Sequence, residues 1–415
     1  MRLRSLVPLA PLRLPGFRNL FVATLASSLG SLLAAIALAI DVKDRTGSGL
    51  WVGAVLVVEL LPTVAVGLLF GPLLDRLDRR SLMVGADLLR AAVFAALPFA
   101  GSAATIVGLA LLAGLATGFF RPAVFAGVPN LVPDGQLPQA NALLQTVENA
   151  SWMLGPALGG VLTAAAGPSA AYGINAASFL ISGVLVARIP ARLLQSEKAL
   201  TRGHWRDLGD GFVAVLRARP LLAVLVGWGI AQLAVGAANV AEVFIAKDTF
   251  SAGDFGYGLL YSSIGAGLVL GSFVSTVALE RLGTARTFGS SMLVMAIGFA
   301  ATAASPDIWV AALCVFVVGA GNGFAVTCNG LLVQRGIEDA TRGRALTFVM
   351  SAVFLLVGVG TAAGGVLIAH VGPRWIWAGG AGTLVVAAAG GYLLARGSAE
   401  AAPAQAVGSA APAAN

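Results

Sequence analysis

The sequence is poor in the residues that most catalytic, metal and redox sites use. Its 415 residues include two cysteines, two histidines and only 11% charged residues. Cys314 and Cys328 fall in one apolar stretch, and His204 and His370 are isolated, so we expect neither a disulfide framework nor a metal site. No set of nucleophile, base and acid indicates an enzyme, and we expect no organic cofactor.

Lysine is also scarce, and its positions bear on the energy source. Lys43, Lys198 and Lys247 follow Val, Glu and Ala. A phosphate-binding loop ends in Gly-Lys-Ser or Gly-Lys-Thr, so the sequence argues against a pump driven directly by ATP. The net charge of +7 comes mainly from arginines scattered between apolar runs. Because they form no single basic patch, we expect no nucleic-acid partner.

The chain is instead rich in apolar residues and glycine. Hydrophobic residues make up 58% of it, glycine occurs 53 times and the mean hydropathy is +0.89. Apolar runs long enough to cross a bilayer as helices lie at about 20–42, 50–74, 82–100, 103–125, 140–165, 169–187, 221–246, 256–279, 286–304, 308–332, 345–369 and 375–395. They predict an all-α membrane protein with twelve transmembrane helices.

The basic residues predict the orientation of these helices. With alternate connections assigned to the cytoplasm, Lys43, Arg45, Lys247 and Arg374 lie outside, whereas Arg121 is among the many placed inside. Short cytoplasmic connections hold the excess of arginine and lysine. We therefore expect a multi-pass protein of the inner or plasma membrane with both termini in the cytoplasm.

The longest connection divides the predicted spans six and six. We expect an N-terminal bundle at 1–188, a cytoplasmic linker at 189–220, a C-terminal bundle at 221–396 and a disordered cytoplasmic tail at 397–415. Within 205–217, apolar residues recur at helical spacing beside charges. This pattern predicts an amphipathic helix on the membrane surface that tethers the two bundles.

The two halves repeat each other at a separation of 205 residues. The segment 155–162 corresponds to 360–367, and both contain a glycine followed four and five residues later by two more. The same separation relates Gly53 to Gly258, 75–77 to 280–282, 118–119 to 323–324, and 167–168 to 372–373. Such internal similarity predicts two parallel six-helix repeats with a substrate path between them.

A short charged connection follows the second apolar run. Its members Gly71, Asp75, Arg76, Arg79 and Arg80 have a spacing that resembles the signature loop of the major facilitator superfamily. The resemblance implies that they form a gate hinge in a transporter of that fold. Glycine lets two helices approach closely, the aspartate can lie against a helix N-terminus, and the arginines can bridge to neighbouring acids. A loop that is basic only for topology is the alternative.

A second motif lies in the fifth apolar run. Gly155, Pro156, Gly159 and Gly160 resemble the glycine-proline motif of facilitator antiporters, which marks exporters more often than importers. Small residues four apart allow close helix packing, and Pro156 removes a backbone hydrogen bond, so ordinary packing is the alternative. With the segments 120–123, 128–129 and 140–142, the first half resembles the branch that includes macrolide-type drug exporters and enterobactin-type siderophore exporters.

Five acids lie inside apolar runs, and none has an acidic counterpart in the other half: Asp41, Glu59, Asp87, Glu148 and Glu242. A charge at the bilayer centre costs at least ~2.5–3.5 kcal/mol, so such unrepeated acids indicate function. Glu59 and Glu148 are the deepest, and both are candidates for proton coupling or substrate binding. A neutral structural carboxyl is the alternative for each.

The remaining embedded acids have nearby basic residues. Asp41 and Glu242 are further coupling candidates, although they lie near the outer ends of spans 1 and 7, where lysine or arginine could neutralise them. Asp87 and Arg90 are three residues apart, so they can face the same way on a helix. We expect them to form a supporting ion pair coupled to the signature loop.

These features predict a secondary active transporter that exports a small amphipathic organic compound, such as a drug, antibiotic or siderophore. We expect alternating access, the proton gradient as energy source, and a monomer whose partners are the substrate, protons and the bilayer. An importer or facilitator of the same fold is the alternative. A channel or lipid scramblase fits the embedded acids and the signature loop less well.

Overall fold

The computed structural model describes residues 9–74, 77–194, 215–336 and 339–399, together with residues 209 and 213. Within these residues the chain forms twelve long helices. The first six are α1 (Pro15–Thr46), α2 (Gly49–Leu74), α3 (Arg79–Ala96), α4 (Ala103–Leu131), α5 (Leu137–Ala166) and α6 (Pro168–Ala187). The second six are α7 (Arg219–Thr249), α8 (Gly253–Leu282), α9 (Thr284–Ala304), α10 (Ile308–Gly336), α11 (Asp339–Val371) and α12 (Pro373–Ala399).

The predicted fold class is confirmed. Ten of the described helices have the length and hydropathy needed to cross a bilayer, and α2 and α5, with 26 and 30 residues, are also long enough. Several helices continue past the apolar runs, as in α11, which starts six residues earlier than predicted. Helix continues there because backbone hydrogen bonding does not depend on an apolar side chain.

The helix packing has the same pattern in both halves. In the first half α1 packs on α5 and α6, α2 on α4, and α3 on α4 and α6. In the second half α7 packs on α11 and α12, α8 on α10, and α9 on α10 and α12. Between the halves α5 packs on α8, and its counterpart α11 packs on α2. The packing therefore repeats as the sequence does, with a pseudo-two-fold relation between the bundles.

Equivalent glycines end equivalent helices. Gly167 separates α5 from α6 and Gly372 separates α11 from α12, with φ angles of 78° and 79°. A residue with a side chain rarely adopts this backbone conformation, and a proline follows each glycine as the first residue of the next helix. At the start of α3, Asp78 caps the helix by accepting a hydrogen bond of 2.7 Å from the Ser81 backbone N–H.

Helix α7 contains two turns of π-helix, at Val224–Trp228 and Ile245–Thr249. Such turns are rare and often accompany functional positions. Residues 400–415 of the predicted tail lie outside the described residues, whereas α12 itself continues to Ala399. Most of the predicted amphipathic helix at 205–217 also lies outside them.

Candidate functional site

A cavity of about 140 Å³ lies inside the first half, between α1, α3, α4 and α5. Its walls combine an apolar surface, which includes Phe120, Phe125 and Trp152, with three charged side chains. Hydroxyl groups line the α1 side and part of α4: Thr24, Ser27, Ser28, Ser31 and Thr117. An apolar pocket with a few converging polar groups is the usual form of a small-molecule site.

Glu148 lies in this cavity, where it forms an ion pair with Arg121. The Arg121 guanidinium donates to Glu148 Oε2 at 3.2 Å, and the Ser28 hydroxyl donates to Glu148 Oε1 at 3.4 Å. From the sequence alone, Arg121 is counted among the cytoplasmic basic residues. Helix α4 continues ten residues beyond it, to Leu131, so Arg121 lies inside the helix and faces α5.

Arg90 reaches the same cavity from α3. It pairs with Asp87 at 2.5 Å, and its guanidinium lies 4.3 Å from the ring centres of both Phe120 and Phe179. On its other side Asp87 accepts a hydrogen bond of 2.7 Å from the Ser182 hydroxyl. This pair is fully buried, yet Arg90 also lines the cavity. Arg90 therefore borders the cavity as well as forming the predicted ion pair with Asp87.

Trp152 connects the cavity to the second half. Its ring stacks on Tyr261 of α8, with centroids 6.1 Å apart and planes inclined by 12°. Tyr261 in turn packs edge-on against Tyr257. Both Glu59 of α2 and Glu242 of α7 lie close enough to act electrostatically on the Tyr261 hydroxyl. Both acids therefore lie near the aromatic contact between the halves.

Glu59 and Glu242 have different surroundings. Glu59 lies where α2 packs closely on α4, because a Cβ on Gly114 would come within 2.4 Å of the Val58 carbonyl oxygen and 3.2 Å of the Glu59 carbonyl oxygen. Glu242 is 1% exposed, and its Oε1 has no hydrogen-bond partner among the described residues. Lys247, expected from the sequence to neutralise Glu242, pairs instead with Asp44 and Asp254. Lys247 lies in the π-helical turn Ile245–Thr249, and its partners are on α1 and α8.

Asp41 is neutralised by neighbours, as the sequence predicted. It pairs with Arg45 at 2.7 Å and accepts a hydrogen bond of 2.9 Å from the Tyr172 hydroxyl. Arg45 also donates to the Ala100 carbonyl. With both carboxylate oxygens engaged inside the first half, Asp41 is less suited to exchange protons than Glu242.

Charged residues at one end of α1 and α7 link the two halves. The inter-half charge cluster consists of Lys43 and Asp44 of α1, Lys247 and Asp248 of α7, and Asp254 of α8. Lys43 pairs with Asp248, and Lys247 pairs with Asp44 at 2.7 Å and with Asp254 at 2.6 Å. Lys43 and Asp248 are 205 residues apart, so they occupy equivalent positions of the two repeats. The cluster joins the halves at the end that the basic-residue distribution places outside.

Glycine contacts close the same end. A Cβ on Gly160 of α5 would come within 2.8 Å of the Gly258 Cα of α8, and one on Gly365 of α11 would come within 3.4 Å of the Gly53 Cα of α2. The backbones of opposite halves therefore touch at two equivalent places. Glycine is required there because any side chain would separate the helices.

Two other members of the glycine-proline motif, Gly155 and Gly159, face α1 of their own half. A Cβ on Gly155 would come within 2.7 Å of the Leu32 Cβ, and one on Gly159 within 2.4 Å of the Leu33 carbonyl oxygen, both on α1. Pro156 lies between them, and its carbonyl oxygen faces α8. The motif thus packs α5 on α1 and on α8 at once.

The predicted gate hinge is only partly described. Gly71 lies in α2, and Asp75 and Arg76 lie outside the described residues. Arg79 and Arg80 are in the first turn of α3, not in a loop. Their described hydrogen bonds include contacts with carbonyl oxygens, and the bridges to neighbouring acids stay a prediction. Arg79 donates to Ala126 at 2.9 Å and to Leu194 at 3.0 Å, and Arg80 donates to Ala187 at 2.5 Å.

Comparison with known proteins agrees with this architecture. The sequence model of a family described as transmembrane secretion effectors, within the major facilitator superfamily, matches residues 6–410. The chain belongs to this family. As a member, it is a multi-pass membrane transporter of small molecules and not an enzyme.

Curated relatives of this transporter include efflux proteins. It is 23% identical over 386 residues to macrolide efflux protein A of Streptococcus pyogenes, covering 89% of this chain and 93% of the relative. It is 26% identical over 356 residues to the multidrug efflux pump Tap of Mycobacterium bovis, covering 82% and 84% of the two chains. These matches show the drug-exporter branch of the superfamily that the sequence motifs indicated.

Solved structures show the same fold. The transporter resembles a bacterial homologue of the iron transporter ferroportin with a TM-score of 0.74 and 16% identity, covering 92% of this chain and 99% of that one. It also resembles the peptide-transporter-family protein PepTSo with a TM-score of 0.75 and 13% identity, covering 93% and 98%. At these identities the likeness concerns the fold alone.

Proposed function

We propose that this transporter is a proton-driven exporter of small amphipathic organic compounds, and that the cavity beside Arg121 and Glu148 is its substrate site. The observation that carries the proposal is a pocket in which an ion pair, hydroxyl groups and aromatic rings converge between four helices. Efflux functions in the names of its relatives support the direction of transport. In this proposal the protein is a monomer of the inner or plasma membrane, with both termini in the cytoplasm.

Glu59 and Glu242 are the proton carriers in this proposal, and Glu148 acts on the substrate. Glu242 supports the assignment because a buried carboxyl without a partner is far less costly when it is neutral than when it is charged. Loss of its proton requires water or a counter-ion, which a rearrangement of the two halves could admit. One proton moving down about 150 mV supplies ~3.5 kcal/mol, enough for a few hundredfold solute gradient.

Alternating access follows from the contacts between the halves. The inter-half charge cluster and the glycine contacts close the outer end, while the cavity lies deeper in the first half. Rocking of the two bundles would break these contacts and expose the cavity to the other side. The signature loop at the opposite end would then limit the movement.

Flux into reconstituted vesicles tests the function. A panel of labelled amphipathic acids, bases and neutral compounds is offered to vesicles with an acidic lumen, and protein-free vesicles correct for passive partition. A proton antiporter should concentrate at least one compound in the acidic lumen, and an uncoupler should abolish the gradient. Accumulation only in an alkaline lumen would instead indicate proton symport, as in an importer. A channel or scramblase would equilibrate solute without concentrating it.

Variants then test the assignment of the acids. Glu242→Gln and Glu59→Gln should lose uphill flux but keep downhill exchange, because they preserve size and abolish titration. Asp134→Asn is the matched control, since Asp134 is an exposed acid in the short turn between α4 and α5. Parent-like uphill flux in both glutamine variants would show that these two acids are structural.

A further inference from the structure

The charges that face the cavity do not balance. Arg90, Arg121 and Glu148 line it, whereas Asp87 lies behind Arg90 and is fully buried. Two guanidinium groups and one carboxylate therefore face the cavity. The guanidinium groups of Arg90 and Arg121 also lie within electrostatic reach of each other. Like charges held together in a low-dielectric site are stabilised by a shared anion.

Both arginines have hydrogen-bonding capacity left over. Arg90 is 3% exposed, and its Nε has no hydrogen-bond partner in the described part of the chain. An unpartnered buried donor is costly, so a ligand that satisfies it gains that energy on binding. Arg121 makes one described hydrogen bond, at 3.2 Å to Glu148, and about half of its side chain is exposed. A guanidinium has five donors, so Arg121 can bind a second anion without leaving Glu148.

We propose that Arg90 and Arg121 form an anion subsite in the cavity, so that the preferred substrates are amphipathic organic acids. A carboxylate matches the planar fork of donors that a guanidinium presents. The apolar body of the compound would lie against Phe120, Phe125 and Trp152, and hydroxyl groups of α1 would bind its other polar atoms. This inference rests on the proposed function, because it assigns a substrate class to the same cavity.

An acid fits this cavity better than a base. A cationic compound would have to compete with Arg121 for Glu148 while two guanidinium groups repel it. A neutral compound would leave the Arg90 Nε without a charged partner. An acid instead offers acceptors to the Arg90 Nε and to the remaining Arg121 donors, and it leaves the described ion pairs intact.

Binding to the purified full-length protein in detergent tests the inference. The probes are phenylbutyrate, phenylbutyramide and phenylbutylamine, which share one apolar body and differ in charge. Fluorescence of Trp152 reports occupancy, with Trp152→Phe to identify its signal among the seven tryptophans. The acid should bind at least about tenfold more tightly than the amide and the amine, which corresponds to about 1.4 kcal/mol.

Arginine variants locate the effect. Arg121→Gln should reduce the preference for the acid to less than about threefold, and Arg121→Lys should restore part of it, because a lysine keeps the charge without the fork. Arg90→Gln leaves Asp87 buried without its partner, so it is combined with Asp87→Asn to remove both charges. Arg374→Gln is the control, since Arg374, at the start of α12, donates to the carbonyl oxygens of Ala303 and Ser305 in the second half.

Three results would overturn the inference. They are equal or tighter binding of the amine or the amide, no binding of phenylbutyrate at millimolar concentration, or an unchanged preference in Arg121→Gln. None of these results decides the proposed function, because binding in detergent needs no gradient. Conversely, tight and arginine-dependent acid binding without uphill flux in vesicles would support the subsite and refute the proton-driven exporter.

Discussion

Reversing one charge of the inter-half charge cluster should open the outer end of the transporter. In Lys43→Asp the variant loses the contact with Asp248 and gains a like-charge repulsion. Lys43 also lies 5.6 Å from the ring centre of Phe244, so some cation–π attraction is lost. Both contacts of Lys43 stabilise the state in which the two halves touch at this end, so their loss favours the open state.

The magnitude follows from the exposure of the pair. The Lys43 and Asp248 side chains are 13% and 51% exposed, so the pair is partly screened by solvent. Such pairs contribute about 0.2–1 kcal/mol, and a repulsion of similar size replaces it in the variant. The total of about 0.4–2 kcal/mol corresponds to an increase of about twofold to 30-fold in the ratio of open to closed molecules.

Pulsed electron paramagnetic resonance measures this ratio. Spin labels at Gly101→Cys and Pro306→Cys report the distance between the α3–α4 and α9–α10 connections, in a protein with Cys314 and Cys328 replaced by serine. Gly101 and Pro306 are exposed and occupy equivalent positions of the two repeats. Lys43→Asp should add a population at longer distance, and adding Asp248→Lys should remove it, because the reversed pair again joins the halves.

A neighbouring pair supplies the control. Arg45 pairs with Asp41 in the same helix, so Arg45→Ala changes a charge close by without touching the other half. It should leave the distance distribution as in the parent. The reasoning fails if Lys43→Asp has the parental distribution, or if the charge-reversed double variant stays as open as the single one.

Two further predictions concern packing. Asp87→Asn leaves the buried Arg90 without its carboxylate, so it should lower the free energy of unfolding by about 3–5 kcal/mol. The measurement is the melting temperature in detergent, which should fall. An unchanged melting temperature would mean that Arg90 finds another partner. Gly160→Leu should abolish flux at normal membrane abundance, because a Cβ at this position would already lie 2.8 Å from the Gly258 Cα. Gly173→Leu is the control and should keep flux, because a Cβ there would have nothing within 4 Å. Equal flux in the two variants would show that close contact at Gly160 is not needed.

The fold could be predicted from the sequence because each of its signals is local or repeated. Apolar runs give the helices, and the repeated glycines mark positions of close packing, whose contacts between the halves appear only in the structure. Gly53 and Gly160 of the first half correspond to Gly258 and Gly365 of the second at the repeat separation of 205 residues. In the structure Gly160 meets Gly258 and Gly53 meets Gly365, so one interface is built twice. Because the contact permits only glycine, glycine occurs at the equivalent positions of both halves.

The candidate site could be predicted only in part, because its contacts join distant residues. Glu148 was recognisable as an unrepeated acid, but its partner Arg121 is 27 residues away on another helix. The sequence separation of Glu148 and Arg121 gives no indication that their side chains are in contact. The surroundings of Glu242 were missed because Lys247, the lysine expected beside it, pairs with Asp44, which is 203 residues away in the other half.

The charged site is confined to one half of a symmetric fold, and this asymmetry bears on mechanism. At the repeat separation, Asp87, Arg90, Arg121 and Glu148 correspond to residues without charge: Met292, Met295, Val326 and Val353. Met292 and Met295 are fully buried, so apolar side chains occupy the place of the ion pair in the second half. A substrate held by charge would therefore stay with the first half throughout the cycle. The second half contributes mainly Tyr261, stacked on Trp152, and its movement would decide from which side the cavity is open.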